Sequence, residues 1–379
     1  MEATKYMLNF NKPFITNKSF SNMEKAVKHF RISGDGRYSK ICNDFFKSNY
    51  KFKNNFLTPS CTAALEMTAL LINIEPGDEV IMPSYTFVSC ANAFILRGAT
   101  IRFVDSNYND PNIDASKIEA LVNKNTKAIV AVHYAGIPCD MDELIRIKKK
   151  YSLILIEDCA HAIDSYYKNK PLGSFGDFST FSFHDTKNIT CGEGGLLVVN
   201  NRKYVKRAEI IREKGTNRAA FFRREIKKYS WVDIGSSYLL SDISAAYLYG
   251  QLINIKTIQS RRIKIFNRYK SNLNKYSNYF KIPENFIGKK YNGHMFYILL
   301  RTNKEKDHII KHLGKKKIQA VSHYVPLHNS KFYKEKHCGS PCKNADLFSK
   351  RLLRLPLHPY LKMKDIDYIC ENVLNFYKI

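Results

Sequence analysis

The segment most informative for chemistry delivers a lysine to the end of an apolar stretch. Residues 178–183 read Phe-Ser-Thr-Phe-Ser-Phe, Lys187 follows four residues later, and residues 192–195 read Gly-Glu-Gly-Gly. Apolar surroundings lower the pKa of a lysine amine, and the uncharged amine can form a Schiff base with a carbonyl cofactor. The glycines let the backbone pass close to a bulky ring. The alternative is a solvated surface lysine, but the aromatic surroundings favour chemistry.

A second segment ends in two carboxylates. Residues 153–156 are Leu-Ile-Leu-Ile, and Glu157 and Asp158 follow directly. Ligands of open parallel sheets bind beyond the carboxyl ends of the strands. An Asp at that place can pair with the protonated pyridine nitrogen of pyridoxal phosphate (PLP) and so strengthen the cofactor as an electron sink. Asp158 could equally cap a following helix, and this segment alone leaves both interpretations open.

Two further segments gain a functional interpretation only when they are considered together with the first two. Small hydroxyl and thiol residues at 60–62 (Ser-Cys-Thr) open a predicted helix, whose N-terminus could hold a phosphate; taken alone, an ordinary N-cap is the better interpretation. Phe87 follows a predicted strand and could stack on a cofactor ring, although aromatic residues near strand ends are more often part of the core.

The elements that position these residues alternate between short apolar runs and helical patterns. Strands are predicted at 79–82, 101–105, 128–133, 153–158 and 196–199, and helices at 62–73, 88–97, 116–123 and 141–151. This alternation predicts an α/β layer around a mostly parallel sheet.

The pattern changes after about residue 240. Helices are predicted at 241–251, 260–276 and 364–377, and strands at 295–301 and 319–324. A chain of 379 residues exceeds the usual size of one core. We therefore expect a large domain over residues 1–250 and a smaller α+β domain over 251–379, with the N-terminal segment 1–30 a candidate to pack on the small domain.

Composition narrows the function classes. The formal net charge is +27, which could indicate a polyanion partner, but the lysines are spread along the whole chain rather than gathered in one arm. The 9 cysteines show no paired spacing typical of a zinc site or a disulfide framework. With no apolar run long enough for a signal peptide or a membrane span, we expect a cytoplasmic protein without a metal, nucleic-acid or membrane partner.

Taken together and in this order, the four segments resemble the sugar aminotransferases of the DegT/DnrJ/EryC1/StrS family. The resemblance runs from Asn-Lys-Pro at 11–13 to Leu-Arg-Leu-Pro-Leu-His at 353–358. It implies the type I PLP-dependent transferase fold of aspartate aminotransferase, with PLP as cofactor. Four stretches, at 58–63, 77–89, 211–218 and 233–239, resemble the branch that forms dTDP-4-amino-4,6-dideoxygalactose.

The resemblance also implies individual roles. Lys187 matches the Schiff-base lysine, Asp158 the partner of the pyridine nitrogen and Phe87 the stacking aromatic residue. The other implied contacts are to the cofactor ring hydroxyl (His161), to the cofactor phosphate (Cys61, Thr62 and Ser182), to the phosphate of a neighbouring subunit (Ser237) and to the sugar nucleotide (Tyr324 and His328). Ser237 stands where relatives carry Asn. For Tyr324 and His328 an aromatic core strand is the competing interpretation.

The implied reaction converts dTDP-4-dehydro-6-deoxy-D-glucose and L-glutamate into dTDP-4-amino-4,6-dideoxy-D-galactose and 2-oxoglutarate, in a homodimer with shared active sites. Formation of the gluco epimer (dTDP-viosamine) or of a 3-amino sugar is the first alternative. Two alternatives come from other classes, a sugar dehydratase of the same fold and a binding protein without catalysis. The presence of Lys187 argues against the dehydratase, since dehydratase relatives carry His there.

Overall fold

The computed structural model describes residues 6–283 and 289–379. The helices of these residues are α1 Asn17–Lys28, α2 Arg37–Tyr50, α3 Cys61–Leu71, α4 Ser89–Ile95, α5 Met141–Tyr151, α6 Val205–Arg212, α7 Arg218–Phe222, α8 Asp242–Leu252, α9 Ile255–Leu273, α10 Asn303–Lys315, α11 Lys343–Arg351 and α12 Met363–Phe376. The strands are β1 Asn55–Thr58, β2 Glu79–Pro83, β3 Thr100–Val104, β4 Thr126–Val132, β5 Ile154–Asp158, β6 Tyr166–Tyr167, β7 Lys170–Pro171, β8 Phe178–Ser182, β9 Gly195–Val199, β10 Lys289–Lys290, β11 Phe296–Leu299 and β12 Leu352–Leu355.

The large sheet has the strand order β1-β9-β8-β5-β4-β2-β3. Strands β3, β2, β4, β5 and β8 pair in parallel, whereas β9 pairs antiparallel with both β8 and β1. A small sheet orders β10-β6-β7, and β11 pairs antiparallel with β12. The predicted α/β class with a mostly parallel sheet is confirmed.

Burial on both faces explains why the strands are continuous apolar runs. Along β4, Ala128 and Val130 pack into one apolar cluster with α3 and α4, while Ile129 and Ala131 pack into another with α2, α5 and α8. Neighbouring residues of a strand point to opposite faces, so a sheet covered on both sides needs apolar residues at every position.

Side-chain caps fix where several helices begin. Ser60, Asp140 and Ser241 each accept a hydrogen bond from a backbone N–H of the first turn of α3, α5 and α8. Thr302 and Glu305 form a reciprocal capping box at α10. These caps satisfy N–H groups that have no partner within the helix.

A third apolar cluster gathers side chains of α9, α10, α12, β11 and β12, together with Leu8. The backbone N–H groups of Met7 and Leu8 both donate to the carbonyl of Lys317, whereas α1 packs on α8. Residues 7–8 therefore lie against the C-terminal cluster, whereas residues 1–5 of the predicted segment 1–30 lie outside the described residues. The division at residue 250 stays a prediction.

Two predicted elements are wrong. Residues 116–123 form two short 3₁₀ turns, Ala115–Lys117 and Glu119–Leu121, rather than a helix. Asp114 caps the first turn, but Val122 has extended backbone angles and ends the second. Residues 319–324 form a single bridge, between Val321 and Arg354, instead of a strand. None of the helices that the structure describes is both long enough and apolar enough to cross a bilayer.

Candidate active site

A cavity of about 450 Å³ opens beyond the carboxyl ends of β2, β4, β5 and β8. This is the edge at which open parallel sheets bind ligands. Seven of the predicted site residues line it, namely Cys61, Thr62, Phe87, Asp158, His161, Ser182 and Lys187, and Tyr324 from the C-terminal part of the chain joins them.

Lys187 lies in the loop between β8 and β9. Its backbone N–H donates to the carbonyl of His184, and the loop returns to β9 through Gly194, whose carbonyl accepts from Phe183. Burial of the amine lowers the pKa of Lys187 to about 8, because a charged ammonium is poorly solvated there. A useful fraction of the amine is therefore uncharged near neutral pH, as a nucleophile or proton acceptor requires.

Asp158 ends β5, and both of its carboxylate oxygens have donors. The thiol of Cys90 donates to Oδ2 at 2.7 Å, and the backbone N–H of Ala160 donates to Oδ1 at 2.9 Å. The residues after Asp158 form turns, so the helix-cap interpretation is wrong. The side chain is buried, with 5% of its surface exposed, and it lines the cavity that holds Lys187.

The N-terminus of α3 meets the cavity with small side chains. Ser60 is the N-cap and accepts from Ala63 N at 3.0 Å, which leaves Cys61 and Thr62 of the first turn facing the cavity beside Ser182. Thr62 Oγ1 and Ser89 Oγ lie 2.8 Å apart. The N-cap interpretation therefore applies to Ser60, and the phosphate role of Cys61 and Thr62 stays a prediction.

Gly195, the last glycine of the cluster at 192–195, has a packing role, and the approach of this cluster to a cofactor ring stays a prediction. A Cβ on Gly195 would lie 2.4 Å from the backbone carbon of Ser60. The glycine therefore allows β9 to approach the start of α3, and the cavity lining contains Glu193 but not Gly192, Gly194 or Gly195.

Aromatic side chains form one wall. Phe87 is 54% exposed and its ring lies 6.0 Å from that of Tyr324, whereas Tyr85, two residues earlier, is fully buried. The core interpretation therefore holds for Tyr85, while Phe87 presents its ring to the cavity. Burial raises the pKa of Tyr324 well above its usual range, so its hydroxyl keeps its proton.

His161 stacks on His294, a residue absent from the predicted site. The two rings are 4.3 Å apart and nearly parallel, and His294 Nδ1 lies 2.9 Å from Asn188 Oδ1. Because the Asn188 amide donates to Gln259 and to the carbonyl of Asn292, its oxygen must accept from His294. Burial lowers the pKa of both histidines well below 6.5, so both rings are neutral at pH 7.

Two predicted site residues do not line the cavity. His328 is buried behind it, with Nδ1 2.6 Å from Ser84 Oγ. Ser237 is exposed and forms a backbone bridge with Glu213. Their assigned roles stay predictions.

Sequence reasoning missed several lining residues, including Cys90, His294, His323 and Arg354. Cys90 follows Phe87 by three positions, so helical spacing could have indicated it. Arg354 is a charge inside the apolar run 352–357, which is a detectable anomaly. No local pattern marks His294 or His323.

A buried trio, His133, Glu157 and Cys159, has donor atoms close enough to hold a metal ion. The Glu157 oxygens, however, already accept from the backbone N–H groups of Gly173, Phe175 and Gly176. His133 Nδ1 accepts from Cys139 N, so its Nε2–H is left to donate to Glu157. His133 and Glu157 therefore form a hydrogen-bonded support at the end of β5.

Comparison with known proteins gives a consistent result. The sequence model of the DegT/DnrJ/EryC1/StrS aminotransferase family matches residues 13–374. The chain is 34% identical over 367 residues to the GDP-perosamine synthase of Escherichia coli O157:H7, which covers 96% of this chain and 97% of that protein.

Two solved structures are similar to this chain in three dimensions. PseC of Helicobacter pylori, an aminotransferase involved in the biosynthesis of pseudoaminic acid, superposes with a TM-score of 0.90 at 27% identity, covering 98% of this chain and 99% of its own. The PLP form of Spr1654, a putative sugar aminotransferase of Streptococcus pneumoniae, superposes with a TM-score of 0.89 at 26% identity over 98% of each chain. The predicted type I PLP-dependent transferase fold is thereby confirmed.

Proposed function

The chain belongs to the DegT/DnrJ/EryC1/StrS aminotransferase family, and from that premise we propose that it transfers the amino group of L-glutamate to the keto group of a nucleotide-linked sugar. The proposal rests on one observation. A lysine of lowered pKa and a buried aspartate line the same cavity, at the carboxyl edge of the sheet.

Aminotransferases of this family depend on PLP, and the cavity fits that cofactor. An amine, a buried carboxylate, an exposed aromatic ring and a helix N-terminus line the same space. Among the described residues, His161 Nδ1 is buried and has no hydrogen-bond partner, which leaves it available to a ligand. When bound, PLP supplies the electron sink that lets an amino group leave one carbon and join another.

Each residue has a proposed task. Lys187 would hold the cofactor and, once released, move a proton at the carbon that carries the amino group. Asp158 would bond to the pyridine nitrogen, held in place by Cys90 and Ala160. Phe87 would stack on the ring, His161 would lie beside the ring hydroxyl, and the turn Ser60–Thr62 with Ser182 would hold the phosphate.

The acceptor we propose first is dTDP-4-dehydro-6-deoxy-D-glucose, with an amino group delivered to C4 in the galacto configuration. Its support is the resemblance of the four stretches 58–63, 77–89, 211–218 and 233–239 to that branch of the family. A GDP-linked keto sugar is the second candidate, because the 34% identity to the GDP-perosamine synthase extends over nearly the whole chain.

We also propose a homodimer with shared sites. Exposed apolar side chains cluster between residues 221 and 234, including Phe222, Trp231 and Val232, and Ser237 lies on the same surface segment. Trp231 alone is 81% exposed, which is unusual for so large an apolar side chain unless it meets a partner.

The test is direct incubation of the pure protein with L-glutamate and each keto sugar nucleotide, followed by NMR of the product. An axial amine at C4 of the dTDP-linked sugar supports the first candidate. Turnover only of a GDP-linked sugar selects the second. An equatorial C4 amine or amination at C3 excludes the galacto product, and the absence of any amino sugar with either nucleotide excludes the proposed reaction.

A further inference from the structure

We propose that the exposed face of α9 binds the surface of a bilayer that contains anionic lipids. This inference goes beyond the proposed reaction and does not depend on it. Among the described helices of more than ten residues, α9 is the only one without an Asp or a Glu. The sequence contains no acidic residue between Asp242 and Glu284. The helix therefore carries a positive charge that its own residues do not neutralise.

The cations of α9 that reach solvent lie on one face. Lys256, Arg261, Lys264 and Arg268 are exposed. At about 100° per residue, these four positions span roughly 140° of the helix circumference. The buried positions of α9, which pack against the rest of the chain, fill the opposite side. We call the four exposed cations the basic face of α9.

Most of the basic face has no acidic partner. Arg268 pairs with Asp367 at 2.7 Å. By contrast, none of Lys256, Arg261 and Lys264 forms an ion pair with a carboxylate within residues 6–283 and 289–379. Clustered charges of one sign create a potential that attracts a surface of the opposite sign.

Helix α5 shows that a high lysine content alone does not produce such a face. It carries Arg146, Lys148 and Lys150 along with acidic residues of its own. Arg146 and Lys150 pair with Glu119, and Lys148 pairs with Asp177 at 2.7 Å. The basic face of α9 lacks this neutralisation, so it is not explained by the abundance of lysine in the whole chain.

Apolar side chains adjoin the basic face, which favours a bilayer over a nucleic acid. Ile253 precedes α9 by two residues and is 43% exposed. The guanidinium of Arg261 lies 5.9 Å from the ring centre of Phe14, which stacks on Tyr360, and the neighbouring Ile15 is 49% exposed. Cations beside exposed aliphatic side chains are typical of surfaces that lie in the membrane interface. Nucleic acids are bound instead through hydrogen-bonding side chains and stacked rings.

The extent of the basic face also fits a membrane surface. From Lys256 to Arg268 it extends over roughly 18 Å, at about 1.5 Å per residue. A single phosphate ion can reach only one or two of these side chains, whereas a layer of anionic headgroups contacts all of them at once. Such a contact lies on the surface and requires no helix that spans the bilayer.

The first experiment is sedimentation of the wild-type holoenzyme with vesicles. It should bind vesicles of equal parts phosphatidylglycerol and phosphatidylcholine, and not vesicles of phosphatidylcholine alone. Raising NaCl from about 0.1 M to about 1 M should release it, because the Debye length falls from about 10 Å to about 3 Å. Equal binding to both vesicles, or to neither, overturns the proposal. Tighter binding of duplex RNA than of the mixed vesicles would assign the face to a nucleic acid and overturn it as well.

The second experiment removes two of the cations. K256Q/K264Q should bind the mixed vesicles about 25-fold more weakly, since each Lys or Arg near an anionic surface contributes about 5-fold in affinity. K256E/K264E should bind more weakly still. The matched control is K124E/K149E, which changes the net charge equally at two exposed lysines outside α9. If the control loses as much affinity as K256E/K264E, the attraction belongs to the net charge of the whole chain and not to this face.

Activity in solution separates this inference from the proposed function. Lys256 and Lys264 are exposed and do not line the cavity. Both double variants should therefore keep the melting temperature, the activity and the absorbance near ~420 nm of PLP bound to lysine. A wild type that transfers amino groups but binds no vesicles refutes the membrane contact and keeps the reaction. A wild type that binds anionic vesicles through α9 but transfers no amino group does the reverse.

Discussion

The thiol of Cys90 donates a hydrogen bond of 2.7 Å to Oδ2 of Asp158, from the helix that follows Phe87 to the end of the central strand β5. Burial, followed by the charge of Asp158, raises the pKa of this thiol well above its usual value, so it remains a donor throughout the working range of pH. Cys90 therefore positions the carboxylate that we assign to the pyridine nitrogen.

Replacement of Cys90 tests this positioning. C90S keeps a donor and should retain most activity, whereas C90A leaves Oδ2 of Asp158 without it and should lower kcat about 10-fold. PLP affinity, measured by equilibrium dialysis, should fall in C90A more than in C90S. Cys370 is buried in the C-terminal cluster and does not line the cavity, so C370A is the control for loss of a buried thiol. Equal effects of C90S and C90A would contradict the role of the hydrogen bond.

The pKa of Lys187 predicts how the protein stripped of PLP recaptures it. The free amine is the nucleophile, so the rate should rise about 10-fold per pH unit below 8 and level off above it. Stopped-flow growth of the band near ~420 nm measures that rate. K187A should form no band, while K127A, which changes an exposed lysine, should behave as the wild type. A rate still rising steeply at pH 10 would indicate an unperturbed lysine.

Most of the large sheet could be predicted from the sequence, because each buried strand is a short apolar run with clear ends. The sequence did not predict α2, although Tyr38, Cys42, Phe46 and Tyr50 repeat every four residues, since polar residues between them hide the pattern. It placed Lys187, Asp158 and the α3 turn because each lies beside a strand or helix end. Arg354 and His294 reach the cavity only through the packing of β11 and β12, which no local pattern records.

The buried hydrogen bonds of Glu157 predict that its replacement strongly lowers the stability of the fold. E157Q replaces one carboxylate oxygen with an NH₂ that faces the donors of Gly173 and His133, so buried donors lose their acceptor. The free energy of unfolding should fall by about 2–4 kcal/mol. Urea denaturation measures the loss. E143Q on the surface of α5 breaks an exposed pair with Arg146 and should cost less than about 1 kcal/mol; a similar cost for the two variants would disprove the support role.

The exposure of Trp231 predicts that its replacement by a charged residue disrupts the proposed dimer. W231D places a charge in the apolar surface of residues 221–234 and should shift the protein from dimer to monomer in sedimentation experiments, with activity falling in parallel. Tyr108 is also exposed, at 70%, but lies outside that segment, so Y108D is the control. A wild type that sediments as a monomer, or a W231D variant that remains a fully active dimer, would refute the shared site.

His294 offers the last test, because it connects the loop that carries Lys187 to the ring of His161. Its Nδ1–H bond to Asn188 and its stacking on His161 are separable contacts. H294F retains an aromatic ring but leaves the Asn188 oxygen without its donor; H294N retains a donor but removes the ring. If stacking orients His161, H294F should keep the PLP affinity of the wild type and H294N should lose about 10-fold, since an aromatic pair contributes roughly 1 kcal/mol. The reverse order would show that the Asn188 bond, and through it the position of the Lys187 loop, is what His294 secures.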